Sequence, residues 1–194
     1  MPVPPLHTAR LNLLPLELAD APAIQQLFPQ WRIVRYLANR VPWPYPADGA
    51  LRYVRDVALP GMARGTEWHW SLRPLEQPDQ LIGLISLYEE AGNNRGFWLA
   101  PHWQGRGLMR EACEAVTDYW FGTLHKPLLQ APKALPNRAS HGISVRSGMR
   151  LVATGESDYV CGRLATQVWE ITREEWLQRT AGGNLTTDPA TNDK

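Results

Sequence analysis

Gln104-Gly105-Arg106-Gly107-Leu108-Met109-Arg110 sets two glycines and two arginines inside one short segment. Glycine lets the backbone turn tightly and approach a ligand closely, because no Cβ stands in the way. A short apolar run precedes the segment and a helical pattern follows it. The first amides of a helix have no partner of their own, so they point at whatever sits in the turn, and an anion is the natural guest. Arg106 and Arg110 add positive charge. A pyrophosphate is the most economical ligand for such a turn, although a plain strand-to-helix connection with no ligand has the same local grammar. Two better-known phosphate motifs do not fit. A P-loop needs Lys-Ser or Lys-Thr where Leu108 and Met109 stand, and the dinucleotide fingerprint needs a third glycine on the helix and an acidic residue closing a second strand.

The elements that must position this turn are readable on either side. Gly96 to Ala100 is apolar and aromatic, which suits a buried strand, and Pro101 ends it by removing a ladder donor. From Leu108 onward, Leu108, Ala112, Ala115, Val116, Tyr119 and Trp120 recur at three- and four-residue steps and share a helix face. Upstream, Arg10 to Leu18 predicts a first strand, Asp20 caps a helix with Pro22 in its first turn that runs to Phe28, and Trp31 to Leu37 predicts another. Val41-Pro42-Trp43-Pro44-Tyr45-Pro46 excludes helix and central strand. It reads equally as a rigid extended loop or as the wall of a pocket. Ala47 to Met62 predicts a helix disturbed near Pro60. Thr66 to Leu72 alternates, with Trp68 and Trp70 on one side and Glu67, His69 and Ser71 on the other, and Leu81 to Tyr88 predicts the next strand.

Downstream, Leu128 to Ala131 starts a strand that ends at Pro136, and Asn137 caps a helix to Gly148. Met149 to Thr154 and Thr166 to Ile171 predict a closing hairpin whose long loop holds Tyr159, Cys161 and Gly162. Thr172-Arg173-Glu174-Glu175 is a capping box opening a last helix. From about Ala181 the composition turns to Gly, Asn, Thr and Asp, which predicts a disordered tail over 181–194 after one domain over 1–180. Strands and helices alternate with hairpin-like neighbours, so the expected class is α/β (α+β mixed), a mixed sheet with helices on both faces.

Composition narrows the function classes. With 194 residues the chain is long enough for one real core. Its 20 Lys and Arg nearly cancel 19 Asp and Glu, and no basic stripe points to nucleic acid. Cys113 and Cys161 stand far apart, with no Cys-x-x-Cys and no His at metal spacing, so neither a disulfide scaffold nor a zinc site is expected. No signal peptide opens the chain and nowhere do eighteen apolar residues run together, so a cytoplasmic protein without a membrane partner is expected.

The turn Gln104-Gly105-Arg106-Gly107-Leu108-Met109 resembles the Gln/Arg-x-x-Gly-x-Gly/Ala signature of the GNAT superfamily of acyl-coenzyme A N-acyltransferases. Met109 departs from the strict pattern but is similar to the variant in the branch that contains the RimJ and RimL ribosomal-protein acetyltransferases. A second segment fits the same branch: Asn137-Arg138-Ala139-Ser140-His141-Gly142-Ile143-Ser144-Val145-Arg146-Ser147-Gly148-Met149 is similar to its Asn-x-x-Ser-x-x-Val-x-x-Lys-x-Gly-Phe element. The likeness covers roughly residues 8 to 178.

This resemblance implies a GNAT fold: a mixed, mostly antiparallel twisted sheet in which the strand before the anion turn and the next strand splay apart, with the pantetheine arm in the gap. Gly96 to Ala100 and Leu128 to Pro136 would be that pair. It implies acetyl-coenzyme A as cosubstrate, no metal, and direct transfer of an acetyl group to a primary amine, on a protein N-terminus or a small molecule. RimL-like proteins often pair, so a homodimer is compatible with the likeness.

Such a transfer needs a neutral amine, a polarised thioester carbonyl and a protonated leaving thiolate. By resemblance, the amides from Gly105, Arg106, Gly107, Leu108, Met109 and Arg110 hold the pyrophosphate, with Gln104 at the lip. The backbone of Phe97, Trp98 and Leu99 holds the pantetheine, and Leu99 polarises the carbonyl. Asn137 serves both as helix cap and near the cofactor's arm. Ser140 matches the serine placed to protonate the thiolate. The Tyr that other branches use four positions later is Ser144 here, and Tyr159 is a distant second. His141 beside Ser140 does not make a nucleophile pair, since helix neighbours point about 100° apart. The strand Arg95 to Ala100 lacks Asp and Glu, so the base is expected at Glu67, or at Glu89 or Glu90 in the next loop. That missing strand carboxylate also leaves open a catalytically inactive coenzyme A-binding module, acting as a sensor or partner-binding protein. Aromatic residues around Trp43, Tyr45, Trp68 and Trp70 predict an acceptor with an apolar body.

Overall fold

Alternation along one strand divides the chain into two cores. The computed structural model describes residues 2–183, and the expected tail beyond that lies outside the described residues. In chain order the elements are β1 (Leu6–His7), β2 (Leu11–Pro15), α1 (Ala21–Leu27), α2 (Trp31–Val34), α3 (Gly49–Arg52), α4 (Leu59–Arg64), β3 (Glu67–Pro74), β4 (Gly83–Tyr88), β5 (Arg95–Leu99), α5 (Leu108–Asp118), β6 (Leu128–Ala134), α6 (Arg138–Arg146), β7 (Arg150–Tyr159), β8 (Gly162–Thr172) and α7 (Arg173–Gly183). On β3, Trp68, Trp70 and Leu72 point toward α5 and bury with Leu108, Ala112, Val116 and Tyr119. The other face carries His69, against which Tyr53 packs from the helical side, and a second core there joins Ile24, Phe28, Val34, Ala50, Val54 and Leu84. Helices therefore cover both faces, each burying an apolar stripe that water would otherwise wet.

The strands form two antiparallel sheets, β1-β2-β3-β4-β5 and β6-β8-β7. The boundary between them is the expected splayed pair. Asn94, just before β5, joins Gln130 of β6 twice: its N–H donates to Gln130 O at 2.7 Å and its Oδ1 accepts from Gln130 N–H at 2.8 Å. Beyond that clasp β5 and β6 share no backbone bond among the described residues. Ladder alternation explains part of this. The bonds Leu135 N–H to Ala165 O and Arg173 N–H to Pro127 O assign the odd residues of β6 to the β8 ladder, so Pro132 faces the gap. A proline there has no N–H to offer β5.

One expectation needs correction. The closing hairpin has no long loop: β7 and β8 pair up to Tyr159 opposite Gly162, across Val160 and Cys161. Nearly all of β7 is exposed, so the apolar alternation that marks a half-buried strand is missing from Gly155-Glu156-Ser157-Asp158. The disturbance expected near Pro60 is present and lies just before that proline. Tyr53–Ala58 is a π-helical turn, in which Leu59 N–H reaches Val54 O, and Pro60 then sits early in α4, where a missing N–H matters least.

Candidate active site

β3, β4 and β5, the helical side, β6 and the β7–β8 tip enclose a cleft of about 1020 Å³. Glu67, Glu89, Glu90, Phe97, Trp98, Asn137, Ser140 and Tyr159 all line it, so the structure brings together candidates spread over ninety residues of sequence. Five of the six tyrosines, Tyr36, Tyr45, Tyr53, Tyr88 and Tyr159, line it too. The hairpin tip closes one side: Val160 N–H donates to Leu37 O at 3.0 Å and Cys161 N–H to Arg35 O at 3.1 Å.

The carboxylates differ in their freedom. Glu89 pairs with Lys126, and Glu90 takes bonds from Arg40 at 3.4 Å and Asn93 at 3.2 Å. Glu67 is only partly exposed, and its Oε2 accepts from the buried His69 Nε2 at 2.7 Å. With its proton on Nε2, His69 uses Nδ1 as the acceptor for Ser86 Oγ at 2.7 Å and Tyr53 OH at 3.3 Å. This bond from His69 holds the Glu67 carboxyl below its ordinary range, against the opposing effect of burial. Burial pushes the hydroxyls of Tyr53 and Tyr88 up, which keeps them neutral donors.

At the splay, Asn137 caps α6 by accepting from Ser140 N–H at 3.3 Å. Ser140 Oγ lies 2.9 Å from the buried Nζ of Lys133 on β6. Sequence reading passed over Lys133. The available signal was rarity: Lys126, Lys133 and Lys194 are the three lysines of a chain that otherwise uses arginine. Tyr159 is less available as a donor, since its hydroxyl is bonded to Thr166 Oγ1 at 2.8 Å. His141 is structural, its Nε2 bonding Ala134 O at 3.0 Å and its Nδ1 accepting from Trp169 at 3.2 Å.

The strand leading to the turn sorts its own backbone. Tyr88 N–H to Asn94 O and Ala100 N–H to Ile82 O bracket the β4–β5 ladder. By alternation, Gly96 and Trp98 pair inward while Phe97 and Leu99 face the gap. This corrects the expectation for Trp98, whose peptide groups belong to the ladder opposite Leu84. Its indole instead forms a wall, packing edge-on to Phe28 at 5.3 Å. Gln104 turns back from the lip, its Nε2 donating to Leu99 O at 2.8 Å.

The turn itself has the backbone that its glycines allow. Gly105 and Gly107 both have φ of 78°, a conformation costly for any residue with a Cβ. A Cβ on Gly105 would meet nothing within 4 Å, so the turn is open. The N–H groups of Gly105, Arg106 and Gly107 take no backbone partner among the described residues. Those of Leu108, Met109 and Arg110 open α5, whose N-cap is Gly107. The side chains of Leu108 and Met109 are core, leaving only their amides for a ligand. Arg106 stacks over Trp103 at 5.0 Å, and Arg110 reaches Glu114 at 3.7 Å. A further cation, Arg10, braces the turn by donating to Arg106 O at 3.0 Å while paired with Glu111 at 2.7 Å.

The aromatic expectation needs correction. Trp68 and Trp70 lie in the α5 core, Trp43 stacks on Trp31 at 5.6 Å outside the cleft, and only Tyr45 of that set lines it. Strand alternation turned both β3 indoles away from the acceptor side.

Comparison with known proteins agrees with this geometry. A family model described as an acetyltransferase (GNAT) domain matches residues 10–150. Among solved structures, the chain resembles RimL, a ribosomal L7/L12 alpha-N-protein acetyltransferase in complex with coenzyme A, with TM-score 0.76 and 15% identity over 89% of this chain and 99% of that one. It also resembles the ribosomal-protein-S5-alanine acetyltransferase from Vibrio fischeri, with TM-score 0.75 and 14% identity over 89% and 98% of the two chains. The microcin C7 self-immunity acetyltransferase MccE, in complex with acetyl-CoA and AMP, matches with TM-score 0.71 and 14% identity over 84% and 93%. The domain match over most of the chain, on a fold whose edge strands part above an open glycine turn, means that this protein belongs to the GNAT acetyltransferase family.

Proposed function

We propose that this enzyme transfers the acetyl group of acetyl-coenzyme A directly to a primary amine, on a protein N-terminus or a small molecule, in the cytoplasm. The observation that carries the reading is the gap clasped at Asn94 and Gln130, beyond which β5 runs on toward the open amides from Gly105 to Arg110 with no backbone bond to β6 among the described residues. These residues suit a coenzyme A thioester: left-handed glycines leave space for a diphosphate, and outward peptide groups of Phe97 and Leu99 suit a pantetheine amide. When bound, the thioester supplies an activated acyl carbon.

The chain's own residues supply the rest. The amides of Gly105, Arg106, Gly107, Leu108, Met109 and Arg110 hold the diphosphate, and helix polarity favours its charge. Leu99 N–H faces the gap and is positioned to polarise the carbonyl. Glu67, ionised at neutral pH, holds the incoming ammonium and takes its proton, directly or through one water. Asn137 orients the start of α6, and Ser140 presents its hydroxyl to the departing sulfur. The tyrosine-lined side offers an acceptor aromatic faces with polar edges. All these groups come from one chain, so a homodimer would not be needed to complete the site.

A thiol-release assay with acetyl-coenzyme A, N-terminal peptides and small amines tests the reading. Turnover well above hydrolysis on some member of the panel is expected, and cofactor binding without turnover on a broad panel would overturn it. Gly107→Glu should abolish coenzyme A binding in calorimetry through charge and backbone strain, and undiminished affinity would remove the turn assignment.

A further inference from the structure

Lys133 Nζ is buried in the wall of the cleft, 2.9 Å from Ser140 Oγ and 5.4 Å from the centre of the Phe97 ring. It therefore reaches from β6 across the gap toward β5. No carboxylate pairs with it among the described residues; the charged and titratable groups that face it are Arg95 of β5 and Cys113 of α5. Arg95 is itself buried. It donates to Thr117 Oγ1 at 2.9 Å and reaches Met149 Sδ at 3.5 Å, and its Nε has no partner. Two buried cations with no counter-ion are expensive to keep. An anion arriving between β5 and β6 would repay that desolvation.

Resting on the reading above, we propose that Lys133 and Ser140 form a thiolate site: the ammonium steadies the sulfur of coenzyme A as the acyl group leaves, and the serine hydroxyl hands it a proton that Lys133 replaces. The transfer balances. The acyl carbon–sulfur bond breaks with its electron pair going to sulfur, and a carbon–nitrogen bond forms to the amine. The proton lost by that nitrogen passes to Glu67 or water. Sulfur takes the Ser140 Oγ proton, Ser140 takes one from Lys133 Nζ, and solvent restores Lys133. A serine hydroxyl alone is too weak an acid for this step. Coupled to an ammonium brought down to about 7 by burial and by Arg95, it has a donor matched to neutral pH. Arginine in place of Lys133 would hold charge but never release a proton.

The test is the pH dependence of turnover on the full chain, with calorimetry of coenzyme A binding in parallel. The expected result is a native kcat that falls toward alkaline pH as Lys133 gives up its proton. That alkaline limb should be lost in Lys133→Met and kcat should fall in Ser140→Ala, while desulfo-coenzyme A binds all three within about threefold. At neutral pH, Lys133→Met should lower kcat about a hundredfold with KM for acetyl-coenzyme A little changed. A native kcat that holds flat through the alkaline range would overturn the proton relay and leave the cofactor assignment standing. Acetyl label found on Lys133 itself after incubation would also overturn it, because the amine would then face the carbonyl carbon instead of the sulfur. Absence of any coenzyme A binding would sink the functional reading and this site together. The native pH profile decides the matter even if a variant fails to fold.

Discussion

Glu67 Oε2 and His69 Nε2 lie 2.7 Å apart on the same face of β3, with the far side of the imidazole closed by Ser86. The bond lowers the Glu67 carboxyl, so the pair's contribution to stability is present above the ordinary carboxylate pKa and lost as pH falls through the folded value. His69→Phe should therefore raise that carboxyl and move the acid limb of kcat/KM upward in pH. Glu67→Gln should lower kcat by about a hundredfold while coenzyme A affinity holds. A pH–rate profile of His69→Phe that overlays the native one would count against Glu67 as the group that takes the amine's proton.

Gly61 of α4 lies under Glu67, and a Cβ there would stand 2.5 Å from Glu67 Cδ. Replacing glycine by alanine inside a helix ordinarily stabilises by about 0.5–1 kcal/mol. Here the flexible carboxylate end would move aside, so Gly61→Ala should leave thermal stability unchanged or slightly raised and still depress kcat. Steady-state kinetics beside a melting curve separates the two effects.

Lys133 makes the opposite trade. Its folded pKa of about 7 lies below the ordinary 10.5, so protonation favours the unfolded chain. The penalty is fully present below about 7 and fades as pH rises toward 10.5. Lys133→Met should gain on the order of a few kcal/mol at acid and neutral pH, with the advantage shrinking in alkali. Denaturant titrations on both sides of this window check the sign.

Cys113 is fully buried, and desolvation raises its thiol, whereas Cys161 is exposed at the hairpin tip. Mass spectrometry after alkylation of the native protein should find label at Cys161 and none at Cys113, and label at both after unfolding.

Some of this protein was legible in its residues alone because the causes are local. The glycine turn, the cap that Asn137 gives α6 and the alternation of β3 each depend on a few neighbouring dihedrals and bonds. So does the capping box, in which Thr172 N–H donates to Glu175 at 2.8 Å and Glu175 N–H to Thr172 Oγ1 at 3.2 Å. The resemblance to GNAT enzymes rested on the first two of these, and it led to the right family and to a splayed pair at the right strands. The closing hairpin was foreseen but its length was not, because the outer part of β7 is solvated and leaves no apolar period to read. Tertiary structure alone decided which groups share a low-dielectric space. Trp98 became a wall when its ladder turned its peptide inward, and Glu67 was set apart from Glu89 and Glu90 by whom each meets. Lys133 became a buried amine without a counter-ion only because β5, β6, α5 and α6 converge on it. Desolvation and Coulomb forces sum over neighbours in space, and sequence order does not list those neighbours.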